Sequence, residues 1–442
     1  MDRIRVSRDA LYWFGLAVGA LAVSGALAIV LVIQRIPAMV ELLASDPELA
    51  RRSLVVHVNL ATGVWFFAFI TALTCLVSRT RIHTARPAAV LAGIGVIAMA
   101  VPACFSDVHA VLSDYVPIVD HVLFLVGLAA VAAAILMVVI EVWLVATRIE
   151  SAALPAEVQY GLRAAGICFL IAMLTIAGAY LDRDASASTL ARFQHLFWGG
   201  GHVLQFAAIA GMLAGWLLLL HELLGTSLLA PRAAAWLFGA LLLPTATGPW
   251  LAVSGHSPRA FTWMMELGIA PAVLVVMFVG ARALYRHRVC GVMHWPIQPV
   301  ALVGLLVSGA MTLVGFGLGA AISGNTTLTP AHYHVSIGAV TVTFMTVLLV
   351  MMSRFGAPVR WPRVAKWQPL LYGVGQSVFA GGLAIAGFWG QAARKTYGAG
   401  QQLEPPSHAG LVIAGIGGAL ALVGGVMFVV LVVSAWRHRD RH

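Results

Sequence analysis

Five histidines that lie in or beside apolar segments are the residues of this chain most able to do chemistry: His57, His202, His256, His332 and His334. A polar, ionisable ring among apolar side chains is costly and marks a functional site by default. Neutral imidazole is a good ligand for haem iron, non-haem iron and copper, whereas magnesium prefers oxygen ligands. The five histidines therefore predict bound haem or a bound transition metal.

Two of these histidines are separated by a single residue, in the segment 330–335. At roughly 100° per residue, positions i and i+2 of a helix point about 200° apart. His332 and His334 are therefore expected to face different sides of one helix, where they cannot bind the same metal. They can instead serve two adjacent cofactors, one on each side of the helix.

The elements that position these rings are membrane spans. The chain has 442 residues, 61% of them hydrophobic and 10% charged, with a mean hydropathy of +0.93, which excludes a soluble globular domain. An apolar helix of about 18 or more residues can cross a hydrocarbon core of about 30 Å. Such stretches recur at 10–34, 53–78, 87–105, 116–147, 160–181, 193–220, 231–253, 260–285, 296–322, 331–353, 367–390 and 409–436. The sequence predicts an all-α membrane protein of twelve transmembrane helices, in a single domain over residues 1–442.

The formal net charge of +10 is explained by orientation. Most Lys and Arg residues fall in the terminal tails and in the second, eighth and tenth loops, which lie on one side of a twelve-span protein. The positive-inside rule then places both termini in the cytoplasm, and no nucleic-acid partner is implied. No convincing cleavage site follows the first span, so we expect it to be retained. The four cysteines are isolated and form no CxxCH motif, which indicates neither a covalently attached c-type haem nor a disulfide framework.

In this topology all five histidines fall in the outer third of the membrane. His57 lies about one turn into span two, and His202 lies two to three turns into span six. His256 follows span seven at its outer end, and His332 and His334 open span ten. A hydrogen bond to a neighbouring helix would explain any one of them alone. Five together favour a cofactor site.

Acidic residues cluster on the same outer side. Asp107, Asp114 and Asp120 surround the loop between spans three and four, and Glu266 lies about two turns into span eight. The inner half is nearly empty of acids, with Glu141 close to the cytoplasmic end of span four. The aspartates are either a solvated loop face or a route for proton uptake from outside.

A run of three glycines, at residues 199–201, directly precedes His202. Glycines let a bulky planar group or another helix approach the backbone closely. We expect tight packing against this face of span six.

Taken together, these features resemble the main catalytic subunit of the haem–copper oxidase superfamily, which includes respiratory oxygen reductases and nitric oxide reductases. The resemblance rests on twelve spans, a histidine in span two, another in span six, a third after span seven and the His-x-His motif of span ten. It covers essentially the whole chain. It implies a bundle like subunit I of that superfamily, with many passes through a bacterial inner membrane.

Carried over to this sequence, the resemblance assigns each histidine a ligand role. His57 and His334 would be the axial ligands of a low-spin haem, and His332 would be the proximal ligand of a high-spin haem, both expected to be b-type. His202 and His256 would bind one non-haem metal, copper or iron. After span eleven, Arg394 and Lys395 resemble the family's basic pair that holds haem propionates, although the usual preceding proline is missing.

The sequence departs from the family pattern at three places. Ser257 stands where the family usually has a second adjacent histidine, so the third metal ligand stays open among Ser257, Glu266 and water. Phe206 stands where oxygen reductases commonly carry a redox-active tyrosine and common nitric oxide reductases carry a glutamate. The nearest polar neighbour is Gln205, and span seven offers no tyrosine. Span eight has no lysine in its inner half.

These departures bear on the substrate, a small gas. Dioxygen reduction takes four electrons, one of which the tyrosine normally supplies, whereas coupling two NO molecules takes two electrons and two protons. We therefore predict an enzyme, an oxidoreductase that reduces nitric oxide to nitrous oxide with electrons and protons from the outer side. A terminal oxygen reductase and a non-catalytic haem electron carrier or gas sensor stay open. The resemblance also implies an electron-donating partner with a c-type haem or a cupredoxin-like copper domain.

Overall fold

The computed structural model describes residues 8–35, 47–77, 82–145, 153–182, 184, 186–254, 258–289, 299–322, 324–389 and 404–438. In this part of the chain, twelve helical stretches are long and apolar enough to cross a membrane, which confirms the predicted number of spans and the all-α class. They are Arg8–Ile33, Glu48–Cys75, Ala85–Cys104, Val122–Leu144, Ala156–Leu181, Thr189–Leu224, Pro231–Val253, Pro258–Val289, Val300–Ala320, Leu328–Met351, Pro362–Phe388 and Pro405–Arg437.

The described spans are built from fifteen α-helices. In chain order they are α1 (Arg8–Arg35), α2 (Pro47–Val58), α3 (Trp65–Cys75), α4 (Ala85–Ala100), α5 (Val122–Ile140), α6 (Ala156–Leu181), α7 (Thr189–Leu224), α8 (Pro231–Leu242), α9 (Gly248–Val253), α10 (Pro258–Val289), α11 (Pro299–Ala320), α12 (Leu328–Met351), α13 (Pro362–Ala365), α14 (Gln368–Phe388) and α15 (Pro405–Arg437).

Several spans change helix type along their length. In span two, the π-helical segment Asn59–Val64 joins α2 to α3, and span four ends in a second π-helical segment, Glu141–Val145. In span seven, the 3₁₀ segment Leu243–Thr247 joins α8 to α9 and contains Pro244. Proline lacks the N–H that would continue the α-helical ladder, which accounts for this change. His57 lies in the last turn of α2, just before the first π-helical segment.

The loop between spans three and four, which the sequence places on the outer side, contains a small strand pair. Ala110–Val111 (β1) runs antiparallel to Ile118–Val119 (β2), with Ala110 opposite Val119. The sequence predicts that span four starts at residue 116, but α5 begins at Val122. His121 caps that helix, because its Nδ1 accepts a hydrogen bond from the Leu123 N–H at 3.2 Å. Ile118 and Val119, two of the apolar residues before it, belong to the strand pair instead.

The chain folds as two compact units, which we describe separately. The first unit includes Val18–Thr62 and Gln298–His442. Within it, α14 and α15 pack with their backbones in contact: a Cβ placed on Gly382 would collide with the Ala414 backbone nitrogen, and one on Gly424 would lie 2.7 Å from the Tyr372 nitrogen. Only glycine permits so close an approach, as is common between membrane helices.

Helix α12, which carries His332 and His334, packs against α11 and α14 in the first unit. Hydroxyl groups bond these helices to one another. Ser308 of α11 donates to the Ala339 carbonyl of α12 at 2.8 Å, and Thr327, at the start of α12, donates to the Leu383 carbonyl of α14 at 2.8 Å. The buried hydroxyls fix the depth of α12 against its neighbours.

The second unit includes Val6–Ala17 and Gly63–Ile297. Its central element is α7, which packs against α6 and α10 and is buried around most of its circumference. Phe206 and Trp216 of α7 are almost completely enclosed, at 0% and 2% exposure. A helix that is apolar on every face is typical of the centre of a membrane bundle.

Two carboxylates of the second unit cap loops at its predicted cytoplasmic end. Glu141 accepts hydrogen bonds from the Thr84 backbone N–H at 2.8 Å and from the Thr84 hydroxyl at 2.6 Å. Glu157, which is 1% exposed, accepts from the backbone N–H groups of Leu228 and Leu229 at 3.0 and 2.6 Å. Both carboxylates therefore have a structural role in joining loops of the same side.

Candidate functional site

His57 is held by α1 of the first unit. Its Nδ1 lies 2.9 Å from the Ser24 carbonyl oxygen and 3.0 Å from the Ser24 hydroxyl, and that hydroxyl donates to the His57 carbonyl at 3.1 Å. A carbonyl oxygen can only accept, so Nδ1 carries the proton. This tautomer leaves the lone pair of Nε2 for a metal, which is the usual arrangement of a ligating histidine.

His334 contacts α14 of the same unit. Its Nδ1 lies 3.2 Å from the Gln376 side-chain oxygen, and the amide nitrogen of Gln376 donates to the Tyr372 hydroxyl at 3.3 Å. The ring of Phe379 packs against the imidazole edge to face, with centroids 4.4 Å apart. Nδ1 is again the donor, so this tautomer has no proton on Nε2.

His332 contacts α11 instead. Its Nδ1 lies 2.8 Å from the Gly315 carbonyl oxygen, which makes Nδ1 the donor and again leaves the Nε2 lone pair. A Cβ on Gly319 would lie 2.8 Å from Cε1 of the ring, so glycine is required at that position. His332 therefore contacts α11 whereas His334 contacts α14, which confirms that the two rings of the His-x-His motif have different neighbours.

His202 lies on α7 of the second unit and is 1% exposed. Its Nδ1 lies 2.7 Å from the Trp198 carbonyl oxygen, one turn earlier on the same helix. Its Nε2 lies 2.9 Å from the hydroxyl of Tyr115, in the loop between β1 and β2. Because the carbonyl only accepts, Nδ1 donates and Nε2 accepts from the phenol.

Most of the remaining predicted site residues cannot be assigned a position. His256, Ser257, Arg394 and Lys395 lie outside the described residues. Glu266 lies on the exposed surface of α10. Among the described residues, no three His, Cys, Asp or Glu side chains converge on a position that could hold a metal ion.

Comparison with known proteins identifies the family. Residues 8–420 match the family described as cytochrome c and quinol oxidase polypeptide I, which is most of the chain. The chain belongs to this family. An uncharacterised protein of Aquifex aeolicus (strain VF5) is 24% identical over 364 residues, or 81% of this chain and 88% of that protein. A cryo-EM structure of a heme-copper terminal oxidase dimer has the same fold, with a TM-score of 0.69 at 15% identity over 95% of this chain and 84% of that one.

Membership in the cytochrome c and quinol oxidase polypeptide I family makes the chain a respiratory oxidoreductase subunit of the haem–copper type. Proteins of this family typically carry haems and a non-haem metal. Three histidines of the first unit suit haem ligation, because His57, His332 and His334 each donate from Nδ1 to an oxygen and so adopt the tautomer of a histidine that binds iron through Nε2. His202 suits a metal less directly, since both of its ring nitrogens already have a protein partner.

The structure also places beside His202 a residue that the sequence did not indicate, Tyr115. Phe206 is fully buried, and a Cβ on Gly268 would lie 2.8 Å from its ring, so this position supplies no polar group. Tyr115 instead brings a phenol to His202 from 87 positions away. The acidic loop that contains Tyr115 and the glycines before His202 were the available signals, but neither identified the contact.

Proposed function

We propose that this chain is the catalytic subunit of a nitric oxide reductase. In the overall reaction, two NO molecules, two protons and two electrons give one nitrous oxide and one water. Both the electrons and the protons come from the outer, periplasmic side.

The observation that carries this proposal is that Glu141 and Glu157, two carboxylates at the predicted cytoplasmic end of the second unit, both hold loops in place. Glu141 and Glu157 each accept short hydrogen bonds that fasten a neighbouring loop. Both oxygens of each carboxylate accept from the loop that it holds, so we assign Glu141 and Glu157 a structural role rather than a role in carrying protons inward. Without a proton path from the cytoplasm, the protons must come from the outer side. Nitric oxide reduction can use such a supply, because each turnover takes up only two protons.

Phe206 provides further support. It is buried one turn after His202 and presents no phenol at the position where oxygen reductases commonly carry one. Coupling two NO molecules needs only two electrons, so it does not require an oxidisable side chain to supply another. The buried phenyl ring suits a small, weakly polar gas better than it suits a charged substrate.

The proposal assigns the cofactors as the family resemblance implies. His57 and His334 hold a low-spin haem, His332 holds a high-spin haem, and His202 and His256 hold the non-haem metal, copper or iron. Arg394 and Lys395 pair with haem propionates. When bound, the high-spin haem and the non-haem metal supply the reducing electrons to the gas.

The protein's own contribution in the first unit is orientation. The Ser24 and Gly315 carbonyls and the Gln376 amide each accept a hydrogen bond from an imidazole Nδ1 and thereby fix both its tautomer and its direction. Partners of this kind typically account for a factor of about 10–100 in metal affinity or activity. The three histidines are thus held as Nε2 ligands by protein contacts alone.

Electrons reach this subunit from a separate partner that carries a c-type haem or a cupredoxin-like copper domain. The described cysteines, Cys75, Cys104 and Cys168, are free thiols that do not form such a centre. We place the complex in a bacterial inner membrane with both termini in the cytoplasm.

Oxygen reduction is the second candidate, and one observation favours it. The Tyr115 hydroxyl lies 2.9 Å from Nε2 of His202 and so brings a phenol to the proposed metal ligand, although not from the position used by the oxygen reductases that this chain resembles. If this phenol is oxidised during turnover, it supplies the fourth electron that dioxygen cleavage needs.

Turnover of the purified, reduced protein with NO and with O2 tests the proposal. We expect rapid NO loss with half as much nitrous oxide formed and little O2 uptake. In proteoliposomes oriented with the outer side facing the medium, NO turnover should make the medium alkaline. Fast O2 uptake would establish an oxidase, and silence towards both gases would leave a haem carrier or sensor.

A matched pair of variants on α7 tests the metal site itself. His202→Ala should abolish turnover and leave the absorption spectrum of the low-spin haem intact. His195→Ala is the control, because His195 lies on the same helix and its side chain is 46% exposed, with only a 3.7 Å contact to Asp182. Native turnover by His202→Ala would rule out the proposed metal ligand.

A further inference from the structure

Around the short helix α13, cationic and apolar side chains recur at every third residue of the sequence. The cationic positions are Arg360, Arg363 and Lys366, and the apolar positions are Trp361, Val364 and Trp367. Residues three apart are neighbours on a helix surface. The segment 360–367, which leads from the loop after α12 into α14, therefore presents cationic and apolar side chains next to each other along its length.

The apolar positions of this segment are exposed, although other residues of the same turns are buried. Ala365 is 4% exposed and Gln368, the first residue of α14, is 0% exposed. Trp361, Val364 and Trp367 are instead 43%, 42% and 56% exposed. Tryptophan is enriched where a membrane span meets the headgroups, because its ring has an apolar body and a polar edge. The segment therefore suits the membrane interface on the side that the sequence predicts to be cytoplasmic.

Two of the cations lie over the indole rings. The guanidinium carbon of Arg360 is 5.4 Å from the centroid of the Trp361 ring, and Nζ of Lys366 is 5.2 Å from that of Trp367. The face of an aromatic ring attracts a cation without neutralising it. These contacts therefore hold positive charge at the level of the indoles, where lipid headgroups lie.

The end of the last span contacts Arg360 as well. Nη1 of Arg360 lies 3.3 Å from Nε2 of His438, and Nδ1 of the same imidazole lies 2.8 Å from the Ser434 carbonyl oxygen. A carbonyl can only accept, so Nδ1 carries the proton and Nε2 accepts from the guanidinium. The segment is thereby joined to the end of α15. A guanidinium has several N–H groups, so this bond leaves others for a further acceptor.

The protein supplies no nearby negative charge for these cations. The sequence contains no Asp or Glu between Glu266 and Glu404. Among the described residues, none of the three cationic side chains of the segment forms an ion pair with a carboxylate. Clustered basic residues beside a membrane span attract the anionic lipids of the cytoplasmic leaflet. The complementary charge is therefore expected from outside the chain.

We propose that the segment 360–367, joined to α15 through His438, is a binding site for an anionic phospholipid. The cationic positions donate charge-assisted hydrogen bonds to the phosphate of the headgroup. The exposed apolar positions contact the part of the acyl chains nearest to the headgroup. A free phosphate ion would use the cations alone, so the apolar positions favour a lipid. This inference is independent of which gas the enzyme reduces.

Lipid titration of the purified full-length protein, followed by native mass spectrometry, tests the site. Phosphatidylglycerol is compared with phosphatidylcholine of the same acyl chains, which has no net charge. We expect the wild-type protein to bind phosphatidylglycerol more tightly. The triple variant Arg360→Gln/Arg363→Gln/Lys366→Gln should lose about 100-fold in that affinity, at about fivefold for each basic residue near a membrane surface.

Two further variants separate this site from the general charge of the same side. Arg282→Gln/Arg286→Gln/Arg288→Gln removes three exposed arginines from the predicted cytoplasmic end of α10, and it should keep the affinity for phosphatidylglycerol. Arg360→Lys/Arg363→Lys keeps the charges of the segment, so it should keep the preference for the anionic lipid.

Three outcomes would overturn the proposal. Equal affinity of the wild-type protein for both lipids would mean that the segment does not select a negative headgroup. Equal losses in the two triple variants would mean that positive charge acts without regard to position. Displacement of bound phosphatidylglycerol by millimolar inorganic phosphate would mean that the cations bind free phosphate and that the apolar positions contribute nothing.

Discussion

Replacing Gly319 with alanine is the most direct test of His332 as a haem ligand. The added Cβ would lie 2.8 Å from Cε1 and 2.9 Å from Nδ1 of the His332 ring, whereas ordinary contacts begin near 3.4 Å. To restore an ordinary contact, the ring or the helix must move by the difference between 3.4 and 2.8, which is 0.6 Å. The ring is also held by the Gly315 carbonyl at 2.8 Å, so it cannot move without disturbing that hydrogen bond.

The expected size of the effect follows from that displacement. A misplacement of about 1 Å in a catalytic group can lower a rate by about 100-fold, so a shift of 0.6 Å should cost about tenfold. We expect turnover by Gly319→Ala to fall by that factor and the carbon monoxide difference spectrum of the high-spin haem to weaken. The low-spin haem, assigned to His57 and His334, should keep its absorption bands.

Gly317→Ala on the same helix is the matched control. No atom lies within 4 Å of a Cβ built at Gly317, so this variant should gain up to about 1 kcal/mol of helix stability and keep full turnover. If Gly319→Ala showed the same haem spectra and the same rate as Gly317→Ala, the assignment of His332 as the proximal ligand would be wrong.

Three further predictions concern contacts within the first unit or within the second. Gly382→Ala should lower the free energy of unfolding by about 1–3 kcal/mol, because the added Cβ collides with the backbone of α15. Gly381→Ala is the control, because a Cβ there has open space around it. Thermal unfolding in detergent measures the stability of both variants. Glu157→Gln weakens the hydrogen bonds to the Leu228 and Leu229 N–H groups, so it should destabilise the protein by about 1–3 kcal/mol and leave turnover unchanged. Lost turnover at native stability would instead show that Glu157 carries protons. Gln376→Leu removes the hydrogen-bond acceptor of the His334 Nδ1–H and makes the imidazole a weaker donor to ferric iron. Redox titration should then show a higher potential for the low-spin haem, by about 60 mV for a tenfold change in relative affinity. An unchanged potential would show that Gln376 does not act on the haem through His334.

Much of the fold could be predicted from the sequence because the bilayer imposes simple rules. A segment that crosses lipid must satisfy its own backbone hydrogen bonds, so hydropathy and length suffice to count the twelve spans. The same regularity explains why the two rings of the His-x-His motif could be assigned different neighbours, since the angle between positions of one helix is fixed. His332 and His334 follow that rule.

The contact at His202 could not be predicted, because it depends on a loop. Tyr115 reaches the ring through a left-handed backbone conformation and through the hydrogen bonds between Asp114 and Gln194, none of which has a periodic signature. For a related reason, the sequence predicts a start of span four at residue 116, six residues before α5 begins at Val122. Residues 116–119 are apolar and therefore fall in the predicted helix, but Ile118 and Val119 pair as a strand and His121 caps α5.

The close contact between α14 and α15 also has a consequence for how the two helices run. The glycines that meet the opposite backbone recur every seven residues, at Gly375 and Gly382 on one helix and at Gly410, Gly417 and Gly424 on the other. A strict seven-residue period imposes a left-handed supercoil, because an ideal helix drifts by about 20° per heptad. The glycine seam of α15 extends over about 21 Å, at 1.5 Å per residue, so a single-residue deletion within it would rotate every later glycine by about 100° and break the seam.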